Sequence, residues 1–236
     1  MEIKMYDVAV VGSGPSGSIA GYWCAKQGLK TCILEKEQLP RDKPCGGGLS
    51  KKALSYLPFS IPESIFQREG RGITVYIGDH DPFNLGLDEA IGYLTIRREL
   101  DYFLTNQAVN AGAELFEQTE VTGLKSYVNG VTLKTKANSD FKAKIVIGAD
   151  GIRTKIGKLT GLRPKWPTNQ IGYCVKANVP FPKEKIEQTI FPSNHIHLFM
   201  GFEPDFHGYI WVFPNRDHCN IGIGDMSKNV LSRKRG

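Results

Sequence analysis

Apolar residues follow two rhythms along this chain. Short, mostly apolar runs, YDVAVV at residues 6–11, TCILE at 31–35 and AKIVIG at 143–148, have the form of buried strands. Between the first two lies SIAGYWCAKQG, with helical periodicity. RELDYFLTNQAVNAGAEL repeats it, placing Leu100, Phe103, Leu104 and Ala108 on one side of a helix that stops at Gly112. Alternating segments fill the rest. GITVYIG (72–78) and GYLTIRR (92–98) predict strands, and the stretch from 112 to 135 predicts a strand followed by a hairpin turning at Asn129 and Gly130. From QIGYCVKANV onward, β-rich runs broken by prolines predict a second, antiparallel sheet.

The first apolar run leads into Gly12, Ser13, Gly14, Pro15, Ser16 and Gly17, then the helix, then a strand ending at Glu35. Strand, glycine turn, helix and strand within some thirty residues make G-x-G-x-x-G a dinucleotide-binding pattern. Gly12 permits the tight turn, Gly14 leaves no side chain between backbone and pyrophosphate, and Gly17 lets the helix lie close to the strand. The helix N-terminus presents unpaired N–H groups and a positive dipole end. Glu35 is placed to accept hydrogen bonds from a ribose and would repel a 2′-phosphate, so the expected ligand is FAD or NAD rather than NADP. The predicted fold is α/β: a Rossmann-like βαβ domain with an inserted antiparallel β-rich domain. Its expected segments are 1–70 and 97–165 for the nucleotide domain, and 71–96 and 166–236 for the insertion.

Composition narrows the function by exclusion. The net charge of +6 gathers only in the tail, at Lys228, Arg233, Lys234 and Arg235, a pattern suited to anionic phosphates or lipid headgroups and not to a nucleic-acid face. The five cysteines, Cys24, Cys32, Cys45, Cys174 and Cys219, are scattered without C-x-x-C spacing, so neither disulfides nor a structural metal is expected. His80, His195, His197, His207 and His218 form no ligand-spaced cluster, although His195 and His197 would share one strand face. No apolar run is long enough to span a bilayer and the N-terminus lacks signal-peptide order, which predicts a cytoplasmic protein.

Two stretches carry the remaining chemistry. In KPCGGGLS (43–50), Gly46, Gly47 and Gly48 have no Cβ, can adopt positive φ, and can bring backbone N–H groups against a flat ring system. Arg41 and Lys43, just upstream, are placed to meet cofactor phosphates, with a solvated loop charge the alternative for Lys43. In GYIWVFP (208–214), Tyr209, Trp211 and Phe213 alternate onto one strand face. Such a wall, extended by Phe199, Phe202 and Phe206, suits either a long apolar tunnel or ordinary sheet core.

With the R-x-x-L-D sequence from Arg97 to Asp101 and A-D-G-x-R-T from Ala149 to Thr154, three motifs stand in register. Together they resemble the FAD-dependent monooxygenase and reductase superfamily. Cys-Gly-Gly and Y-x-W-x-F-P are similar to the geranylgeranyl reductase family, which reduces isolated C=C bonds of prenyl chains. That resemblance implies FAD as cofactor and NAD(P)H or ferredoxin as electron donor. It also implies an isoprenoid or prenylated-lipid substrate, and hence peripheral association with the inner face of a membrane. Besides the glycine turn with Pro15 and Ser16, it implies cofactor contacts from Glu35, Lys36, Arg41, the Cys45–Gly48 segment, Arg97, Val121, Ala149, Asp150 and Gly151. Cys45, Tyr209 and Trp211 are implied at the reaction site. An ordinary thiol, with a pKa of about 8.5, is mostly protonated at neutral pH, so Cys45 is suited to donate a proton; the alternative is a small residue where the chain grazes the flavin.

One departure from the family pattern stands out. Relatives close the flavin site with a later Gly-Asp segment and C-terminal helices, whereas GIGDMS (222–227) comes too early for that role. The chain is therefore expected to be a fragment that binds FAD weakly or not at all by itself. An aromatic hydroxylase or halogenase of the same superfamily, a quinone-linked flavoprotein and a non-catalytic dinucleotide-binding module are the competing expectations.

Overall fold

A computed structural model describes residues 4–190, 194–201 and 206–226. Phe202, Ser227 and the basic tail residues Lys228, Arg233, Lys234 and Arg235 lie outside the described residues. The chain forms two compact units, one built from residues 1–42 and 98–165, the other from 43–97 and 166–236. The expected change-over after residue 70 differs from this by nearly thirty positions in sequence, for a reason seen in the strand pairing below.

Along the chain the early strands are β1 (Met5–Val11), β2 (Thr31–Leu34), β3 (Gly48–Ser50), β4 (Phe66–Gly70), β5 (Gly72–Ile77), β6 (Phe83–Gly86) and β7 (Gly92–Thr95). After them come β8 (Glu114–Phe116), β9 (Val121–Tyr127), β10 (Gly130–Thr135) and β11 (Asp140–Gly148). The last are β12 (Gly172–Pro180), β13 (His195–Met200), β14 (Tyr209–Pro214) and β15 (His218–Met226). Helices α1 (Pro15–Lys26), α2 (Lys51–Ser55), α3 (Arg97–Asn110) and α4 (Ile156–Leu159) are interspersed.

In the first unit the sheet runs β8-β2-β1-β11-β10-β9, parallel through β8, β2, β1 and β11 and antiparallel beyond. From Val8 to Val11 β1 is apolar, and both of its faces are covered there. Val8 and Val10 pack with Ala25, Ile33 and Ala108 on one side, and Ala9 and Val11 with Leu34, Leu133 and Ile156 on the other. Helix α1 reaches the sheet through small residues. A β carbon on Gly21 would come within 2.6 Å of Ile33 Cδ1. In α3 the periodic positions Leu100, Leu104 and Ala108 are buried as expected.

Two details of the strand reading change. The hairpin between β9 and β10 pairs Tyr127 with Gly130, so Val128 and Asn129 form the turn and Gly130 opens the next strand. Gly130 has φ 149°, and a β carbon there would stand 2.6 Å from Ala143 O. β11 is present but not wholly buried, since Ile145 is 59% exposed.

The second unit carries a sheet in the order β12-β15-β14-β13-β5-β6, antiparallel at every pair but one. β13 lies parallel to β5, His195 opposite Gly72 through Met200 opposite Ile77, because these strands are distant in sequence and no hairpin dictates their direction. A small sheet, β3-β7-β4, ties residues 48–50 and 66–70 to 92–95, which is why the chain after Asp42 belongs with this unit.

On the face of β13 bearing both histidines, Thr74 meets His195 Nδ1 at 3.0 Å and Tyr76 Oη meets His197 Nδ1 at 3.0 Å. The Tyr76 ring also stacks on Phe199, centroids 4.3 Å apart. Burial, with a smaller contribution from His195, pushes the His197 pKa down to about 4. A histidine depressed below its unfolded value near 6.5 protonates first in the unfolded chain, so stability present above that pH is lost as pH falls toward the folded value. Denaturant titrations of wild type and His197→Gln should therefore diverge between pH 6.5 and about 4. Wild type is expected to lose on the order of 2–3 kcal/mol more than the variant across that window. Parallel pH profiles would refute the assignment.

Candidate functional site

The turn after β1 is built from backbone pressed on backbone. Gly12 has φ +99°, and a β carbon there would meet Ala149 O at 2.5 Å. A β carbon on Gly17 would meet Gly12 O at 1.9 Å. Both positions require glycine, and together they set the start of α1 beside the end of β11. Gly14 caps α1 without a side-chain hydrogen bond, Pro15 opens it, Ser16 is exposed, and no acidic residue stands in the first turn. The helix N-terminus thus carries neither a side-chain cap nor a first-turn acid.

Glu35 is 3% exposed, and its carboxylate is already engaged. Oε2 accepts from Ser13 N at 2.9 Å and Ser13 Oγ at 2.7 Å, while Oε1 accepts from Glu37 N at 3.0 Å. Burial raises its pKa, but these hydrogen bonds and Arg41 outweigh it and hold the carboxyl below its ordinary value. Each carboxylate oxygen has two acceptor positions, and the bond from Glu37 N takes one of those on Oε1.

Arg41 turns inward. Its Nη1 lies 3.0 Å from Asp101 Oδ2 and its Nε 3.6 Å from Glu35 Oε2, with the side chain 14% exposed. The guanidinium, expected to meet cofactor phosphates, bridges two buried carboxylates of its own unit. Thr105, Ser18 and Ser13 continue this buried polar cluster: Thr105 Oγ1 donates to Asp101 O at 2.8 Å and lies 2.9 Å from Ser18 Oγ. Ser13, Ser18 and Thr105 escaped sequence reasoning, because nothing in a lone serine or threonine shows which helix will face it. Asp101 stood in a recognised motif whose charge partner lies sixty positions away.

Asp150 Oδ2 accepts from Lys155 N at 2.5 Å and Ile156 N at 3.0 Å, capping the approach to α4. Its Oδ1 is buried with no hydrogen-bond partner, an orphan acceptor at the Asp-Gly turn where Gly151 has φ +80°. Ala149 N donates to Val11 O at 2.9 Å. Val121 places its side chain in the core. Lys36 lies at the surface, 3.5 Å from Glu37 Oε1. Arg97 opens α3, half-buried.

In the second unit a pocket of about 410 Å³ is lined by Pro44, the Cys45–Gly48 segment, Cys174, Lys176, Tyr209, Trp211 and Phe213. The aromatic row therefore lines a cavity. Gly47 has φ 86° and sits so close to Thr95 that a β carbon would be 2.0 Å from its carbonyl oxygen; at Gly46 one would be 2.8 Å from the Phe213 ring. Strand register explains the trough. Gly222 and Gly224 of β15 lie between Lys176 and Trp211 and between Cys174 and Tyr209. A β carbon on Gly222 would be 2.0 Å from the Trp211 ring, so the indole folds over bare backbone. The segment read only as a misplaced Gly-Asp turn is the floor beneath the aromatic wall. Cys174, Lys176 and Asn220 were not singled out for this site, because cross-strand register assigns them.

Removing Arg41 while leaving both acids tests the buried bridge. Arg41→Gln should cost about 3–5 kcal/mol in denaturant unfolding, as breaking one side of a buried ion pair does, and Arg41→Lys should recover only part, lacking the planar fork. A loss near zero in both variants would show the bridge to be solvated.

A model of an FAD binding domain matches residues 5–218. Digeranylgeranylglycerophospholipid reductase of Methanocaldococcus jannaschii is 30% identical over 230 residues, covering 95% of this chain and 56% of that protein. The crystal structure of a geranylgeranyl bacteriochlorophyll reductase-like protein from Thermoplasma acidophilum superposes with TM-score 0.83 at 28% identity, covering 99% of this chain and 62% of that one. The halogenase PltM, solved with phloroglucinol and FAD, shares the fold at TM-score 0.73 and 18% identity. The chain spans about half the length of the curated relatives it matches. With a glycine cradle, an uncapped helix N-terminus and an orphan acceptor at the Asp-Gly turn, the first unit suits the cofactor named by that domain, and the chain belongs to the FAD binding domain family.

Proposed function

We propose that this chain is part of a flavin-dependent reductase of C=C bonds in a prenyl chain carried by a lipid or related isoprenoid. The observation that carries the reading is the pocket in which a Cys-Gly-Gly-Gly segment faces Tyr209, Trp211 and Phe213. The names of the M. jannaschii and T. acidophilum proteins support the same chemistry.

The N-terminus of α1 and the Gly12–Gly14 turn would hold the pyrophosphate, Glu35 Oε1 a ribose hydroxyl, and Asp150 Oδ1 a further hydroxyl of the cofactor. When bound, FAD supplies a hydride equivalent to one alkene carbon. Reduction then requires a proton at the other carbon, so that two C–H bonds replace the π bond. Cys45 Sγ–H holds that proton within the pocket, and the thiolate left behind is reprotonated from solvent. Aromatic rings bury the apolar chain and exclude water, and backbone contact from Gly46 to Gly48 keeps the segment close. The two electrons come from a nicotinamide or a ferredoxin. No helix among the described residues is long and apolar enough to cross a membrane. The reading implies a cytoplasmic protein that meets its lipid substrate at the inner face of a membrane, because the prenyl chain is carried by a lipid.

Incubating the full-length protein with FAD, a reductant and a geranylgeranylated lipid should add about two mass units per reduced double bond. Oxygen incorporation would identify a hydroxylase instead. Cys45→Ala should lower turnover about 10²-fold or more if the thiol supplies the proton. Unchanged turnover would reduce Cys45 to a spacer.

A further inference from the structure

Resting on this reading of the pocket, we propose that Asn220 is the positioning residue that locks the Cys45 segment to the aromatic wall. Its side chain is 4% exposed and makes contacts to three separate pieces of the second unit. Trp211 Nε1 donates to Asn220 Oδ1 at 2.8 Å. Asn220 Nδ2 donates to Cys45 O at 3.1 Å and to Asn178 Oδ1 at 2.9 Å. Lys176 Nζ closes the outer end by donating to Asn178 Oδ1 at 3.0 Å.

The polarity of this network has one solution. An indole N–H is only a donor, so the atom facing Trp211 must be the oxygen of Asn220, and its NH₂ must face Cys45 O and Asn178. A lysine ammonium is likewise only a donor, so Asn178 turns its oxygen toward Lys176 and receives Asn220 through the same atom. Both NH₂ hydrogens of Asn220 are used, one fixing the backbone of the residue that bears the thiol. The register places Asn220 opposite Phe213 and Asn178, so the strands bring it beside Trp211 and Asn178, and its amide reaches the Cys45 loop. An asparagine thus joins the indole that shapes the cavity to the carbonyl of the proposed proton donor. Aspartate there would keep the shape and the acceptor for Trp211, but would set a charged oxygen against two carbonyl oxygens.

The test compares Cys45 with Cys174, which lines the same pocket without touching the network. In the full-length protein, iodoacetamide labelling followed by peptide mass analysis should show Asn220→Asp raising Cys45 alkylation about tenfold, the scale of a lost buried hydrogen bond, with Cys174 changing less than about twofold. Turnover of the prenyl lipid should fall through kcat with KM nearly unchanged. If Asn220→Asp does not fold, Asn178→Ala, which removes one acceptor, should raise Cys45 labelling about threefold and again spare Cys174. Equal changes at both thiols, or none at Cys45, would overturn the proposal. Labelling needs no turnover, so a protein without reductase activity whose Cys45 is selectively released would sink the functional reading and leave the positioning role standing.

Discussion

Gly17 has no room for a side chain: a β carbon would stand 1.9 Å from Gly12 O, nearer than any two such atoms approach without moving backbone. That contact seats α1 on β1. Gly12 repeats the constraint one layer across, where a β carbon would strike Ala149 O at 2.5 Å, so the turn after β1 and the end of β11 are forced together. The result is an uncapped helix end beside an Asp-Gly turn with an unsatisfied buried oxygen. The exposed start of α1 follows from this packing.

Around that turn the first unit buries charge in compensated form. Glu35 and Asp101 share Arg41, and Ser13 supplies two further donors to Glu35. The hydrogen bonds to Glu35 and the nearby Arg41 outweigh the cost of burial and hold the Glu35 carboxyl below its ordinary pKa. Arg41 thereby links the loop beyond β2 to α3, elements far apart in sequence. It orders the Glu35 carboxylate at the end of β2.

The second unit solves a different problem, placing a thiol and three aromatic rings around one cavity. Glycine at alternate positions of β15 removes side chains where Trp211 and Cys174 fold over the strand, and Asn220 continues the same row as a hydrogen-bonding hub. Small residue, small residue, amide is a sequence of residues whose value is invisible until their neighbours across the sheet are known.

Local rules settled much of this protein in advance. Short, mostly apolar runs announced β1, β2 and the region of β11, helical periodicity announced α3, and the glycine spacing before Glu35 announced the dinucleotide turn, because each signal is carried by residues close together in the chain. The presence of a Cys-Gly-Gly-Gly segment and an alternating aromatic strand was equally legible. What the tertiary structure decided is everything that depends on partners distant in sequence. It set Arg41 between Glu35 and Asp101, moved the chain after Asp42 into the second unit, and set β13 parallel to β5. It also made GIG a floor and Asn220 a clamp. A side chain's chemistry is written in one letter, but its role depends on register and burial, which arise only when separate stretches of chain are brought side by side.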